Sequence, residues 1–256
     1  MAPIIHCVRH AQGYHNLSIA SHAIRDPLLT PFGQQQCQEL QQNFPHHENA
    51  ELIVASPLRR TLYTALLSFA STIKNKNLTV VALPETQETS ALPCDTGNPV
   101  QDLKQEFEDR PVDLSLLDET WGQKRARWAP TAEAIEARAK AARQWLMSRP
   151  EKEVVLVTHG GFLHYFTEDW AGCEKYAGTG WANTEYRSYS FIDSDSGEAH
   201  LAETPESYQR RAGTNRPLTP TEQADLKRHA ELEWDRDGYV LQRPLAHHIQ
   251  EVGVKA

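Results

Sequence analysis

Val154-Val155-Leu156-Val157-Thr158-His159-Gly160-Gly161 joins four consecutive apolar side chains to a polar pair and two glycines. An unbroken, mostly β-branched apolar run fits a strand buried on both faces. An earlier segment repeats the pattern, with Ile4, Ile5, Cys7 and Val8 running into Arg9-His10-Ala11. Leu52-Ile53-Val54-Ala55 and Leu78 to Leu83 read as two further strands. Helical segments separate them. Thr30-Pro31 is a cap-plus-proline start for a helix running to about Phe44. Ser56-Pro57 repeats that start, and Leu58, Leu62, Ala65, Leu66 and Phe69 keep helical spacing. Thr131 to Met147 places Ile135, Ala139, Ala142 and Leu146 on one face, and Phe162 to Trp170 reads as helix. Strands alternating with helices predict an α/β fold: a three-layer α/β/α sandwich with a mostly parallel central sheet and helices on both faces.

The remaining segments are less regular. Tyr186 to Ile192 alternates and predicts an antiparallel strand. Residues from about 84 to 130 carry Pro93, Gly97, Pro99 and Pro111 and read as a long insertion with short helical pieces. The expected organisation is one domain over residues 1–202, followed by a C-terminal helical extension or tail over 203–256. In that extension Thr219 to Trp234 reads as a peripheral helix and the rest as a loosely attached tail.

The 256 residues carry 26 basic and 34 acidic groups, a net charge of −8. That balance argues against nucleic acid or an anionic membrane as partner. No apolar run reaches the length of about 18 residues that spans a bilayer, and the start is too short and interrupted for a signal peptide. Cys7, Cys37, Cys94 and Cys173 are scattered, without a C-x-x-C pair, so free thiols and a cytoplasmic setting are expected. His46-His47 and His247-His248 read as exposed pairs, and no metal-ligand spacing surrounds them. No metal and no cofactor is expected, and nothing in the sequence sets the oligomeric state.

His10 and His159 each stand just past the C-terminal end of an apolar strand, where open α/β sheets bind ligands. Ala11 and Gly160-Gly161 follow them and let backbone approach a ligand closely. Arg9 adjoins His10, and Arg59 and Arg60 lie in the first turn after the second strand. Arginine presents several fixed N–H donors to phosphate, and a helix N-terminus adds backbone donors. Cationic groups of this kind around one crevice repel one another unless an anion lies between them, and phosphate fits.

The motifs that carry this chemistry resemble those of the histidine phosphatase superfamily (phosphoglycerate mutase-like, branch 1). Arg9-His10-Ala11-Gln12 with Asn16 resembles the R-H-G-E…N signature, and Leu29-Thr30-Pro31-x-Gly33 the L-T-x-x-G motif. Ser56-Pro57-Leu58-Arg59-Arg60-Thr61, followed by Thr64-Ala65, resembles S-x-L-x-R-A-x-x-T-A. Thr158-His159-Gly160-Gly161 resembles the second histidine motif. Residues 9–16 are most similar to fungal members. Ala11 and Gln12 depart from the usual Gly and Glu.

The resemblance implies that His10 becomes phosphohistidine. Arg9, Arg60 and His159 would hold the phosphoryl oxygens, with Asn16 and Gly160 assisting. It also implies a carboxylic proton donor after the third strand. Glu88, in Thr86-Gln87-Glu88, fits better than Glu85 in Leu83-Pro84-Glu85, and both stay open. His22 and His164 are near enough in sequence to line the pocket or only to pack. Asn183, in the polar and aromatic run Gly180 to Arg187, is a further candidate for substrate contact. The expected activity is metal-independent hydrolysis of a small-molecule phosphomonoester. The alternatives are a phosphoglycerate-type mutase, whose longer substrate-gripping segments find no match here, and a fold member repurposed for non-phosphate chemistry.

Overall fold

The computed structural model describes residues 2–173, 179–192 and 197–241. Strands β1 (Ile4–Arg9) and β5 (Glu153–Thr158) lie side by side in parallel, from Ile4 opposite Glu153 to Arg9 opposite Thr158. Strands β2 (Leu52–Ala55), β3 (Val80–Ala82) and β4 (Val112–Asp113) continue the parallel sheet. On the other side β6 (Tyr186–Phe191) pairs antiparallel with β1, and β7 (Leu201–Glu203) antiparallel with β6. The sheet order is β4-β3-β2-β5-β1-β6-β7.

The apolar runs are unbroken because both faces of the sheet are covered. Val154 and Leu156 of β5 join one core with helices α5 (Ala132–Met147), α6 (Gly160–Thr167) and α8 (Pro220–Arg236). Val155 and Val157 point into a second core with α1 (Pro31–Asn43), α2 (Arg59–Ser68), α3 (Ala70–Lys76) and α4 (Val100–Glu106). Each such fully buried side chain stabilises the fold by about 1.5–3 kcal/mol. The remaining helix, α7 (Pro205–Ala212), packs beside β6.

The helix starts follow local chemistry with one exception. Thr30 and Thr131 accept hydrogen bonds from the Gly33 and Ala134 amides, as N-caps do. Ser56 was expected to cap the second helix, but α2 begins at Arg59 after an uncapped Leu58, and Ser56 serves the site described below. The second helical run also breaks at Phe69, whose φ of −118° leaves the helical region between α2 and α3. The third strand is shorter than Leu78 to Leu83.

Two segments are held more firmly than their sequences suggest. In the 84–130 insertion Trp121 and Trp128 are buried in the second core, and Arg138 of α5 donates to the Glu85 and Gln87 carbonyls at 2.8 Å. Helix α8 is polar along most of its length, yet it buries Ala230 and Trp234 in the first core. After it, Val240 and Leu241 are buried, and Leu241 exchanges backbone hydrogen bonds with Pro130 and Ala132. The chain is therefore fastened as far as Leu241, not loosely attached from residue 235. The expected tail beyond that point, with His247-His248, lies outside the described residues.

Candidate active site

His10 follows β1 directly, and its backbone is clamped on both sides. Its amide donates to the Thr158 carbonyl at 2.9 Å, and its own carbonyl accepts from Asn183 Nδ2 at 2.8 Å. The imidazole Nδ1 lies 2.7 Å from the Ala11 carbonyl, so Nδ1 carries the proton and Nε2 the lone pair. Arg60 Nε lies 3.4 Å from that Nε2. Because β5 is β1's neighbour, His159 faces His10 with ring centroids 5.2 Å apart. Ser56 Oγ holds His159 Nε2 at 2.8 Å.

The arginines are anchored by backbone and carboxylate. Arg60 is wholly buried and donates to the Cys94 carbonyl at 2.6 Å and to Asp95 Oδ1 at 2.8 Å. Arg9 donates to Thr179 Oγ1 at 3.1 Å and to the Trp181 carbonyl. Its Nε, like Nδ1 of His159 and of His15, is buried without a hydrogen-bond partner. Unpaired buried donors cost roughly 1–3 kcal/mol each, and an oxyanion between His10 and these groups would satisfy them.

Burial, together with Arg60 and Arg9, pushes the His10 pKa well below the usual histidine value. Burial and Arg60 do the same to His15 and His159. All three imidazoles are therefore neutral near pH 7. Arg9 is lowered by burial to about 10 and stays charged.

Glu88 reaches the site from the 84–130 insertion. One oxygen accepts the Thr89 and Phe162 amides at 2.9 Å, and the other accepts the Gly161 amide at 3.3 Å. The first-turn donors of α6 thus hold this carboxyl group. Burial, and Asp95 next to it, raise its pKa above the ordinary carboxyl range.

His10, Arg9 and Glu88 border a cavity of about 120 Å³ whose walls also include His15, Asn16 and His22. A wider hollow of 680 Å³ beside β7 and α7 holds no histidine. Arg60 and His159 are fully buried next to His10 and are not among the residues that line the open cavity. Three candidates lie elsewhere. Glu85 pairs with Arg127 at 3.4 Å outside the cavity. Asn183 backs the His10 carbonyl and makes no wall. Gly160 packs against Thr179, where a Cβ would sit 2.6 Å from the threonine, and it is Gly161 that lines the cavity. His164 is a packing residue, bonded to the Asp169 and Thr179 carbonyls and stacked on Trp170. Arg59 turns away to Glu106 at 2.8 Å.

The two motif departures are accommodated. Ala11 is buried and does not adopt positive φ. Gln12 accepts from Thr30 Oγ1 at 2.8 Å and so ties the first motif to the start of α1. Gly33 packs on this residue so closely that a Cβ would lie 2.1 Å from the Gln12 carbonyl oxygen.

Several residues of the site were not singled out from the sequence. His15 stands 5.3 Å from His10, centroid to centroid, and its only signal was its place inside the first motif. Ser56 resembled a helix cap. Asp95, Trp234 and Tyr239 also border the cavity. Lys124 is buried near it, donates to the Glu88 carbonyl at 3.2 Å, and is lowered by burial to about 7. Far from this site, His46 stacks on His6 at 4.2 Å, and both face Glu153. No spacing rule could reveal that cluster, because its members come from three separate segments.

A family model for the histidine phosphatase superfamily (branch 1) matches residues 5–206. Phosphoglycerate mutase-like protein 1 of Arabidopsis thaliana is 30% identical over 233 residues, covering 74% of this chain and 81% of the relative. A probable phosphatase of Schizosaccharomyces pombe is 28% identical over 164 residues, covering 63% and 76%. Among solved structures, a putative alpha-ribazole-5′-P phosphatase from Escherichia coli superposes with a TM-score of 0.50 at 18% identity, covering 79% of this chain and 96% of that one. That likeness concerns the fold.

Proposed function

Because the chain belongs to branch 1 of the histidine phosphatase superfamily, we propose that it hydrolyses a small-molecule phosphomonoester through a phosphohistidine on His10. The observation that carries this reading is the pairing at the ends of β1 and β5. His10 is neutral, has its Nδ1 proton fixed, and sits 3.4 Å from Arg60 and beside His159. A neutral imidazole with a fixed tautomer is a competent nucleophile.

In the first step His10 Nε2 attacks phosphorus. The N–P bond forms as the ester P–O bond breaks, and Glu88 gives its proton to the leaving oxygen. Water then attacks the phosphohistidine and passes a proton to the Glu88 carboxylate. The N–P bond breaks and inorganic phosphate leaves. Arg9, Arg60 and His159 carry the charge on the phosphoryl oxygens, which is the main demand of phosphoryl transfer. Asn16 lies on the wall and is fixed by the Gly13 amide at 3.0 Å, in position to assist. No step calls on a metal.

The phosphatase name of the S. pombe relative supports hydrolysis, whereas the Arabidopsis relative bears a mutase-like name. The four cysteines are free and buried, and no helix among the described residues is long and apolar enough to cross a membrane.

The test is phosphate release from a panel of phosphomonoesters by wild type and His10→Ala, with chelator present. Release should fall by about 10³-fold or more in the variant, as when a nucleophile is removed, and persist under chelator in wild type. Equal release by the two proteins would refute the role of His10. An isomerised phosphoester in place of free phosphate would make the enzyme a mutase.

A further inference from the structure

The cavity in front of His10 is completed by residues beyond the family match, which ends at 206. Trp234 sits near the end of α8, and the chain then folds back so that the Tyr239 amide donates to the Trp234 carbonyl at 2.8 Å. Both side chains border the cavity. Trp234 is fixed in an aromatic cluster, with Trp170 at 5.8 Å and Tyr165 at 6.3 Å. Tyr239 meets His22 edge-on at 6.0 Å. The backbone hydrogen bonds of Leu241 to Pro130 and Ala132 fasten this turn to the start of α5. Leu92 extends the apolar wall.

The charges on the walls are one-sided. Among the described residues no lysine lines this cavity, and its single arginine, Arg9, belongs to the phosphate end. Lys124 is committed to the Glu88 carbonyl and lies outside the walls. Two carboxyl groups, Glu88 and Asp95, do line it. Burial holds the His15 imidazole in its neutral form, and His22 stands edge-on against Tyr239. A carboxylate on the alcohol part of a substrate would therefore lose water and find no lysine or arginine of its own on the walls among the described residues. Burying an unpaired carboxylate is costly, whereas a flat uncharged group gains contact with the Trp234 and Tyr239 side chains.

We propose that the C-terminal segment sets substrate choice, with Trp234 and Tyr239 receiving an uncharged leaving group that presents a flat apolar face. This inference rests on the phosphatase role of His10. It disfavours substrates that carry a carboxylate beside the phosphoester.

The experiment compares kcat/KM of the full chain for 4-carbamoylphenyl phosphate and 4-carboxyphenyl phosphate, which match in shape and differ in charge. The amide should be preferred by about tenfold or more, given the cost of an unpaired buried charge. Tyr239→Arg places a cation on the half-buried wall and should narrow or reverse that preference, with the melting temperature confirming that the variant folds. Phosphate release from both esters, with the carboxylate equal or better in wild type, would overturn the inference and leave the His10 chemistry standing. Preference for phosphoserine or 3-phosphoglycerate over both aryl esters would overturn it in the same way. Absence of hydrolysis of any ester, with no acid-labile phosphate on His10, would remove the phosphatase reading and this inference with it.

Discussion

Replacing Glu88 with glutamine removes the proposed proton donor and leaves the phosphate clamps in place. General acid catalysis by a positioned side chain is worth about 10²–10⁴-fold. Hydrolysis of an alkyl phosphate, whose leaving oxygen needs that proton, should fall by about that factor. An activated ester such as 4-nitrophenyl phosphate leaves as a stable anion and should lose far less. The alkaline limb of the pH profile provides a second readout. The protonated carboxyl group is the active form, and burial together with Asp95 raises its pKa above the ordinary carboxyl value. Activity is therefore present below that pKa and lost as pH rises through it, and Glu88→Gln should flatten this limb. The structural cost is bounded by geometry. Glutamine keeps one oxygen for the Thr89 and Phe162 amides but sets its NH₂ against the Gly161 amide, 3.3 Å away. One unsatisfied donor costs about 1–3 kcal/mol, and each kcal/mol lowers Tm by about 2–4 °C in a chain of this size. The assay is steady-state kinetics on the alkyl and nitrophenyl esters across pH, with melting curves alongside. An equal loss on both esters, or the same ester-selective loss from Glu85→Gln, would refute the assignment.

Three further outcomes are expected. Asp26 is fully buried at a φ of 40°, and burial raises its pKa from 3.8 to about 6. The folded state then holds this proton more tightly than the unfolded one, so stability falls by roughly 3 kcal/mol as pH rises from about 4 through 6. Asp26→Asn tolerates the left-handed φ and should lack that fall in urea titrations at several pH values; parallel curves for the two proteins would contradict it. Gly33→Ala should cost about 1–3 kcal/mol or more, because its Cβ would meet the Gln12 carbonyl oxygen at 2.1 Å, and an unchanged melting temperature would show that the packing yields freely. Ser56→Ala leaves the buried His159 Nε2 without its partner and should lower kcat by about tenfold, from the loss of about 1 kcal/mol or more of positioning, with a fall in melting temperature of a few degrees, at about 2–4 °C per kcal/mol; a kcat equal to wild type would remove Ser56 from the site.

Strands β1, β2, β3 and β5, their parallel arrangement and the two histidines at the strand ends could be read from the sequence, whereas the short edge strands β4 and β7 could not. Each depends on a run of four to six neighbouring residues: an apolar strand buried on both faces, followed by a turn residue, leaves a local mark. The Thr30 and Thr131 caps could be read for the same reason, and Arg60 was singled out from Arg59 by its place in the family motif. The tertiary structure alone separated Glu88 from Glu85. Both follow β3 within a few residues, and only the packing of the insertion against α6 decides which carboxyl group meets the Gly161 and Phe162 amides. It also moved Ser56 from a helix cap to His159, 103 positions away, and set Asn183 behind His10 across 173 positions. Trp234 and Tyr239 belong to a segment that reads as a polar periphery, because a helix that buries two side chains leaves little periodic signal. Features set by a few neighbouring residues can be read along the chain. Which distant side chains share the cavity was decided by the packing of the two cores, since contacts between remote segments leave no spacing to read.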